Sequence, residues 1–466
     1  MAYYPHRSMI RDTDSNMLRS HQDPNPRRQL QTFLRTLMDR PELQKCVREV
    51  FVGHWETDIY HALRNDKGAP KLLIGDATQY TLDDHLRSWR SGSGQRHYRE
   101  DDEILLLLCL TTNLRELALA LPPYGFLSHD HLLFLQAALR ESRKGYPGMH
   151  KFVKLQKMIL LPFDHRDNST PADGGWPLSS LMEFMHLPSL RTVRGLGSFN
   201  PDIPAGDLPK SGATSCGLRK IKLHQLTSGS TALRAFLNNC PDLEKLSLSF
   251  APDAYRSNRV VEMTWRGIAE ALRCRRQTLK TLKLDGKLCG QLAKGLSPGR
   301  ARLSIHDWIT QCSLQDFPVL KKLHIEQAAL LGFEFISNPY HSDNQARPNI
   351  TEMLPRNLEE LQILNCTPFV IVSLQNLYDN ALHFPSLKRV HIQWSKALGM
   401  RTYSDLTQWQ DEQALYKAFT TLSDKFPRFN ISFSEDKNVW NPCRMNDIYA
   451  RKRTRLRLDT DLSSST

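Results

Sequence analysis

The chain has 466 residues, 40% of them hydrophobic, and a formal net charge of +13 at pH 7. That much apolar material can bury a large core, and the positive balance favours an acidic partner, which could be nucleic acid, a membrane surface or an acidic protein. The nine cysteines include no CxxC pair, so neither a disulfide framework nor a zinc ribbon fits.

From the N-terminus, residues 1–28 carry Arg, Asp, Asn, Pro and Ser with few apolar side chains, and a disordered arm is expected. No apolar signal segment is present there, and the longest apolar run, residues 104–110, is far shorter than a membrane span. A soluble, intracellular, reduced protein is expected, in cytoplasm or nucleus, with no membrane partner. Regular structure begins with a helix over residues 29–38, where Leu30, Phe33, Leu34 and Leu37 share one face and Pro41 follows as a boundary.

A phrase, Leu-x-x-Leu-x-Leu with apolar swaps, then recurs. It is clearest at LEKLSL (Leu243, Leu246, Leu248), LKTLKL (Leu279, Leu282, Leu284), LKKLHI (Leu320, Leu323, Ile325) and LEELQI (Leu358, Leu361, Ile363). LRELAL from Leu114, LQKMIL from Leu155, LRKIKL from Leu218 and LKRVHI from Leu387 repeat it, VREVFV from Val47 is a plausible opener, and LRTVRG from Leu190 is a degraded copy. The last two apolar positions of the phrase stand two residues apart, which places them on one face of a strand and on different faces of a helix. Each phrase is therefore read as a short strand. Helical patterns precede several of them, at Ala232-Leu233-Phe236-Leu237, Trp265-Ile268-Ala269-Leu272 and Val370-Leu374-Leu377-Ala381. The junctions LPSL, CPDL, FPVL and FPSL carry a proline that stops the helix and turns the chain into the strand.

From Leu114 onward the phrases start 25 to 41 residues apart, and the longer intervals hold polar, turn-rich stretches at residues 164–176, 198–215 and 337–349. A helix around residues 413–422 and a closing strand at FNISF (Phe429, Ile431, Phe433) complete the pattern. The fold expected is an α/β solenoid: an irregular horseshoe over residues 29–433, with parallel strands on the concave face and helices on the convex face. Residues 29–110 form its N-terminal helical and capping part, and residues 434–466 a basic, largely disordered tail.

LPRNLEELQILNC, residues 354–366, resembles the leucine-rich-repeat consensus through its ninth position, where Asn or Cys is expected and Cys366 stands. FLNNCPDLEKLSL, residues 236–248, is similar to the repeats of F-box proteins with leucine-rich repeats, especially the divergent fungal kind. Other units have Pro122, Leu226, Ala251, Lys287, Ala328 and Ser395 at the ninth position, so a regular asparagine ladder is not expected. The Leu-Pro phrase and the Cys-Arg-x-Trp-like stretch of an F-box are not found, while FLRTLMDRPELQKCVREVFV, residues 33–52, resembles the segment directly C-terminal to an F-box in such proteins. The resemblance implies substrate recognition in a cullin ubiquitin ligase, with the ligase adaptor docking through a segment outside this chain. The alternatives are a ligase-independent repeat scaffold and a nucleic-acid-associated basic solenoid.

The x positions of the phrases are the most informative surface. They carry Lys157, Arg194, Lys220, Lys222, Lys245, Lys283, Lys322 and Arg389, joined by His324 and His391, against only Glu116 and Glu360. In a horseshoe these positions line the concave face, the usual binding surface of a solenoid, and an acidic protein client is expected there. The bland alternative is a set of solvated lysines. Aromatic residues interleaved with the basic ones, needed to stack bases, are missing, so nucleic acid is disfavoured. In the tail, Arg451, Lys452, Arg453, Arg455 and Arg457 read either as an import signal or as a solvated charged segment. His129-Asp130-His131 clusters metal-ligand residue types, but Asp130 fits a helix cap better than a metal site. Cys240, Cys274 and Cys312, at helix ends beside strands, fit small buried packing residues. No nucleophile elbow, GxGxxG or P-loop phrase occurs, so a non-catalytic chain without cofactor or metal is expected.

Overall fold

The computed structural model describes residues 2–3, 26–52, 104, 107–108, 110–121, 152–162, 184–185, 187–199, 216–226, 230–250, 265–286, 313–331, 349–366, 370–394, 420–421 and 430–435. Twelve strands form one sheet whose spatial order is their order in the chain. They are β1 (Ala2–Tyr3), β2 (Glu49–Val52), β3 (Glu116–Leu121), β4 (Lys157–Pro162), β5 (Thr192–Phe199), β6 (Lys220–Leu226), β7 (Lys245–Phe250), β8 (Thr281–Asp285), β9 (Lys322–Glu326), β10 (Glu360–Cys366), β11 (Arg389–Trp394) and β12 (Asn430–Glu435). Every neighbouring pair is parallel. Parallel neighbours that are consecutive in sequence require a crossover between them, so the chain advances one strand per unit in a solenoid-like α/β stack.

The four phrases that follow a proline junction start in the same way. In CPDL the amide of Leu243 donates to the Cys240 carbonyl, and Leu190, Leu320 and Leu387 donate likewise to Leu187, Phe317 and Phe384. Proline thus occupies the second position of a four-residue turn, where its fixed φ is already the one required. The turn's first residue is an anchor in the core: Cys240, Phe317, Phe384 and Leu187 are all buried. Phe152 opens the equivalent turn before β4 without a proline and holds a left-handed φ of 44°. That conformation is uncommon for a bulky residue.

Strand alternation then sorts the side chains. In β8 the burial pattern has Leu282 and Leu284 inside, with Thr281, Lys283 and Asp285 half-exposed. Corresponding pairs, Leu117 and Leu119, Met158 and Leu160, Ile221 and Leu223, Leu246 and Leu248, Leu323 and Ile325, Leu361 and Ile363, Val390 and Ile392, belong to one continuous core. Helices cover this side. Ser230–Asn238 contributes Leu233, Phe236 and Leu237; Trp265–Leu272 contributes Trp265, Ile268, Ala269, Ala271 and Leu272; Val370–Asp379 contributes Val370, Leu374 and Leu377. Each of these three segments shows helical periodicity in the sequence. The helix Ile350–Met353 is capped by Asn349, whose side-chain oxygen accepts the Thr351 amide at 3.1 Å. Gly286 lets the Trp265 ring lie against the end of β8, since a Cβ there would come within 2.7 Å of that ring.

Three details differ from the sequence reading, at β5, at the start of the first helix and at Ala2–Tyr3. LRTVRG, read as a degraded copy, belongs to the longest strand of the sheet, the eight-residue β5. Hydrogen bonding to β4 and β6 on both sides holds it extended despite its weak pattern, and it runs to Phe199, into the stretch read as loop. The first helix spans Pro26–Asp39, starting three residues early, and Ala2–Tyr3 pairs with Phe51 and Val52. The expected helix at residues 413–422 is described only at 420–421.

Burying a leucine side chain contributes about 1.5–3 kcal/mol, and truncation in a packed core adds a cavity penalty. Leu246→Ala and Leu282→Ala, at fully buried positions in adjacent strands, should each lower the unfolding free energy by about 2–5 kcal/mol in urea denaturation.

Candidate functional site

The side of the sheet opposite the core is where the sequence-selected basic residues lie. The register places all ten on two rows. The first runs Lys157, Thr192, Lys220, Lys245, Thr281, Lys322, Glu360, Arg389 across β4 to β11. The second runs Arg194, Lys222, Ser247, Lys283, His324, Gln362, His391 across β5 to β11. Continued toward the N-terminus, the second row becomes Ile159, Ala118 and Phe51. Ile159 and Ala118 are buried, so the half-exposed, charged part of this row begins at Arg194.

The ten residues are not electrostatically equivalent. Lys157 pairs with Glu116 at 2.8 Å. Farther along, Glu360 gathers two cations, Lys322 at 2.8 Å and Arg389 at 2.9 Å, with the His324 imidazole 3.9 Å away. The hydrogen bond from Lys322, with the charges of Lys322 and Arg389, holds the Glu360 carboxyl below its usual range. Between these carboxylate-bearing ends lie Arg194, Lys220, Lys222, Lys245 and Lys283. Among the described residues only Lys283 of these five has an acidic neighbour, Asp285 at 3.9 Å. Partial burial, then the charges of Lys220, Arg194 and Lys283, push the Lys222 ammonium below the ordinary lysine value. The Arg194 Nε is buried and donates to no acceptor among the described residues.

Ser247 stands between Lys222 and Lys283 in the second row, and it is the residue that counting charges misses. Ser249 lies beyond it on the same strand, with its hydroxyl 3.2 Å from His224 Nδ1. At the far end His391 lies against two serines, with Nδ1 2.7 Å from Ser432 Oγ and Nε2 2.9 Å from Ser434 Oγ.

Other candidates resolve more simply. Cys240 is buried with its thiol directed at the Phe236 carbonyl, and Cys274 is half-buried with its thiol directed at Ala271, both as packing residues. Cys312, His129-Asp130-His131 and Arg451, Lys452, Arg453, Arg455, Arg457 lie outside the described residues. Among the described residues there is no group of three metal-ligating side chains, and no helix long and apolar enough to cross a membrane. No protein-family model matches the chain, and no curated protein is similar to it.

Burial lowers the affinity of His324 and His391 for protons, reinforced at His324 by Lys283 and opposed at both by Glu360. Below about pH 6.5 an unfolded chain protonates these imidazoles before the folded chain does. Their contribution is thus complete above that pH and is lost as the pH falls toward the folded-state values. The urea midpoint should fall between pH 7 and pH 5.5, and the double variant His324→Asn with His391→Asn should show a flatter dependence.

Proposed function

We propose that this chain is a non-catalytic interaction module of the leucine-rich-repeat type, which holds an acidic protein segment on the open face of its sheet. One observation carries the reading: five basic side chains share a patch across four adjacent strands, while the carboxylates of Glu116 and Glu360 are engaged with Lys157 and with Lys322 and Arg389. A merely solvated basic surface gives no reason for Glu116 and Glu360 to stand at the two ends of the patch while, of the five cations between them, only Lys283 has an acidic neighbour among the described residues. Repeat character is supported by the parallel strand that recurs at every phrase and by the turn that opens several of them. Cys366, at the ninth consensus position, also fits: it is buried, and its thiol lies 3.3 Å from the Ile363 carbonyl.

The client is proposed to be protein. Base stacking needs aromatic side chains among the cations, and the two rows on β5 to β9 offer no Phe, Tyr or Trp. On the resemblance to F-box proteins with leucine-rich repeats, the module serves substrate recognition in a cullin ubiquitin ligase, the concave face taking the substrate and a segment outside this chain taking the adaptor. A scaffold without a ligase link is the competing reading.

Affinity purification with mass spectrometry from the native host tests both levels. Wild type should retain a set of acidic proteins that the reversal Lys220→Glu, Lys222→Glu, Lys245→Glu, Lys283→Glu loses, because like-charge contact costs several kcal/mol. A cullin adaptor should co-purify with both proteins when each is produced from the native gene together with any segment outside this chain. Retention of every client by the reversal variant sinks the surface assignment, and absence of the adaptor favours the scaffold.

A further inference from the structure

We propose that the arginines on the rim of the sheet where β2 to β6 begin form a docking surface for the phosphodiester backbone of duplex DNA. This rim is separate from the open face, and the inference does not rest on the acidic-segment reading.

Position comes first. The residue immediately ahead of each strand is bonded through its backbone to its counterpart in the unit before. The amide of Arg115 donates to the Arg48 carbonyl at 2.7 Å, Gln156 to Arg115 and Arg191 to Gln156 at 2.9 Å, and Arg219 to Arg191 at 3.0 Å. The same series runs on through Glu244, Lys280, Lys321, Glu359 and Lys388, so these residues form one row along the rim. Its two halves differ in charge. Toward the C-terminus Glu244 pairs with Lys280 at 3.2 Å and Glu359 with Lys321 at 2.8 Å. Toward the N-terminus Arg48, Arg115, Arg191 and Arg219 are exposed, and none of the four forms an ion pair among the described residues. Carboxylates stand beside them only in the next row on β2 and β3, at Glu49 and Glu116, and Glu116 is engaged by Lys157. Arg191 is held in place: its Nη1 donates to the Gly217 carbonyl at 3.0 Å, and a Cβ at Gly217 would collide with that nitrogen. Gln156 interrupts the arginines, and Lys154, exposed two residues ahead of it, supplies charge at that point.

Chemistry selects the occupant. The open face carries mainly lysine, whereas the cations of this half of the row are all arginine, whose planar guanidinium matches a phosphate with two parallel N–H bonds. With strands about 4.8 Å apart, Arg48 to Arg219 spans about 19 Å, a length over which a DNA duplex carries roughly eleven phosphate charges. A row of cations rooted at even spacing on the backbone ladder suits a partner whose charges recur evenly. Contacts to the backbone of a duplex leave its bases paired and stacked, so they need none of the aromatic side chains that single strands require. Duplex RNA is recognised in large part through its 2′-hydroxyls, and for these the row offers one neutral polar side chain, Gln156.

The test uses the full chain and a fluorescein-labelled DNA duplex of mixed sequence, roughly 20 base pairs long, read by anisotropy at about 0.1 M salt and along a salt series. Wild type should bind with a dissociation constant of about 10 μM or tighter. The variant Arg48→Gln, Arg115→Gln, Arg191→Gln, Arg219→Gln should bind about tenfold or more weakly, with a logarithmic salt slope shallower by about three to four. The variant Lys220→Gln, Lys222→Gln, Lys245→Gln, Lys283→Gln removes the same charge from the open face and should stay within about threefold of wild type, because charges farther away than a Debye length are screened. Thermal midpoints report whether each variant folds. Should the arginine variant fail to fold, Arg115→Gln and Arg219→Gln singly should each lower the slope by about one. In the affinity purification the arginine variant should keep the clients that the open-face reversal loses.

No binding of the duplex by wild type overturns the proposal and leaves the acidic-segment reading standing. Undiminished binding by the arginine variants overturns the placement on the rim. Equal losses from the two charge-matched variants do the same, because they show an effect of net charge alone. Tighter arginine-dependent binding of single-stranded DNA, duplex RNA, an acidic peptide pool or phosphatidylserine vesicles overturns the assignment to duplex DNA. Loss of the clients by the arginine variant overturns the separation of the two surfaces.

Discussion

At the entrance to almost every strand, one backbone carbonyl accepts two successive amides from the next unit. Arg48 receives Arg115 and Glu116; Arg115 receives Gln156 and Lys157; Gln156 receives Arg191 and Thr192. The series continues through the carbonyls of Arg191, Arg219, Glu244, Lys280, Lys321 and Glu359, and closes with Asn430 on Lys388. Because these bonds use only backbone, they do not depend on the residue types at the junction. They lock each strand to its predecessor at the same point whatever the length of the crossover. Intervals between phrases of 25 to 41 residues are therefore absorbed without a change of register at the strand entrances.

Register carries the consequences. A slip of one residue would turn Leu246 and Leu248 outward and Lys245 and Ser247 into the core, which neither set tolerates. With register held, the buried pairs of successive strands meet in one core. The alternating residues on the other side form straight rows across the sheet. Irregularities fall later in the strands, after Leu196, Leu223 and Ile363, beyond the point where the rows are set.

Along those rows the charge is distributed unevenly. Glu116 and Glu360 each lie one strand from a lysine that binds them, so cations near the two ends of the basic region are answered from within the sheet. Exposed pairs of this kind contribute little stability, about 0–1 kcal/mol. Their effect on the surface is larger, because they leave β5 through β8 as the stretch where, among the described residues, only Lys283 of the five cations has an acidic neighbour. There Lys222 lies among Arg194, Lys220 and Lys283. Burial and like charge both oppose its ammonium form, and an anionic ligand relieves the repulsion. A flexible lysine on a free surface would swing away from its neighbours, but these are rooted at fixed spacings by the ladder.

The amino-acid sequence alone determined the repeating unit. Leu-x-x-Leu-x-Leu cannot put its last two apolar positions on one face of a helix, so the strand followed from spacing, and the helices at residues 230–238, 265–272 and 370–379 followed from their own periodicity. It also picked out the ten basic residues as one surface, since strand alternation is a local property. Local patterning failed at β5, where Gly195 stands at a core position and the extended conformation comes from the strands on either side. Tertiary structure alone decided which cations are neighbours. Lys222 and Lys283 are separated by a complete repeat unit yet flank the same serine, and Lys322 belongs to Glu360, 38 residues away. Such relations depend on strand order and on the register set by the backbone ladder, and neither is encoded in the spacing of residues within one repeat.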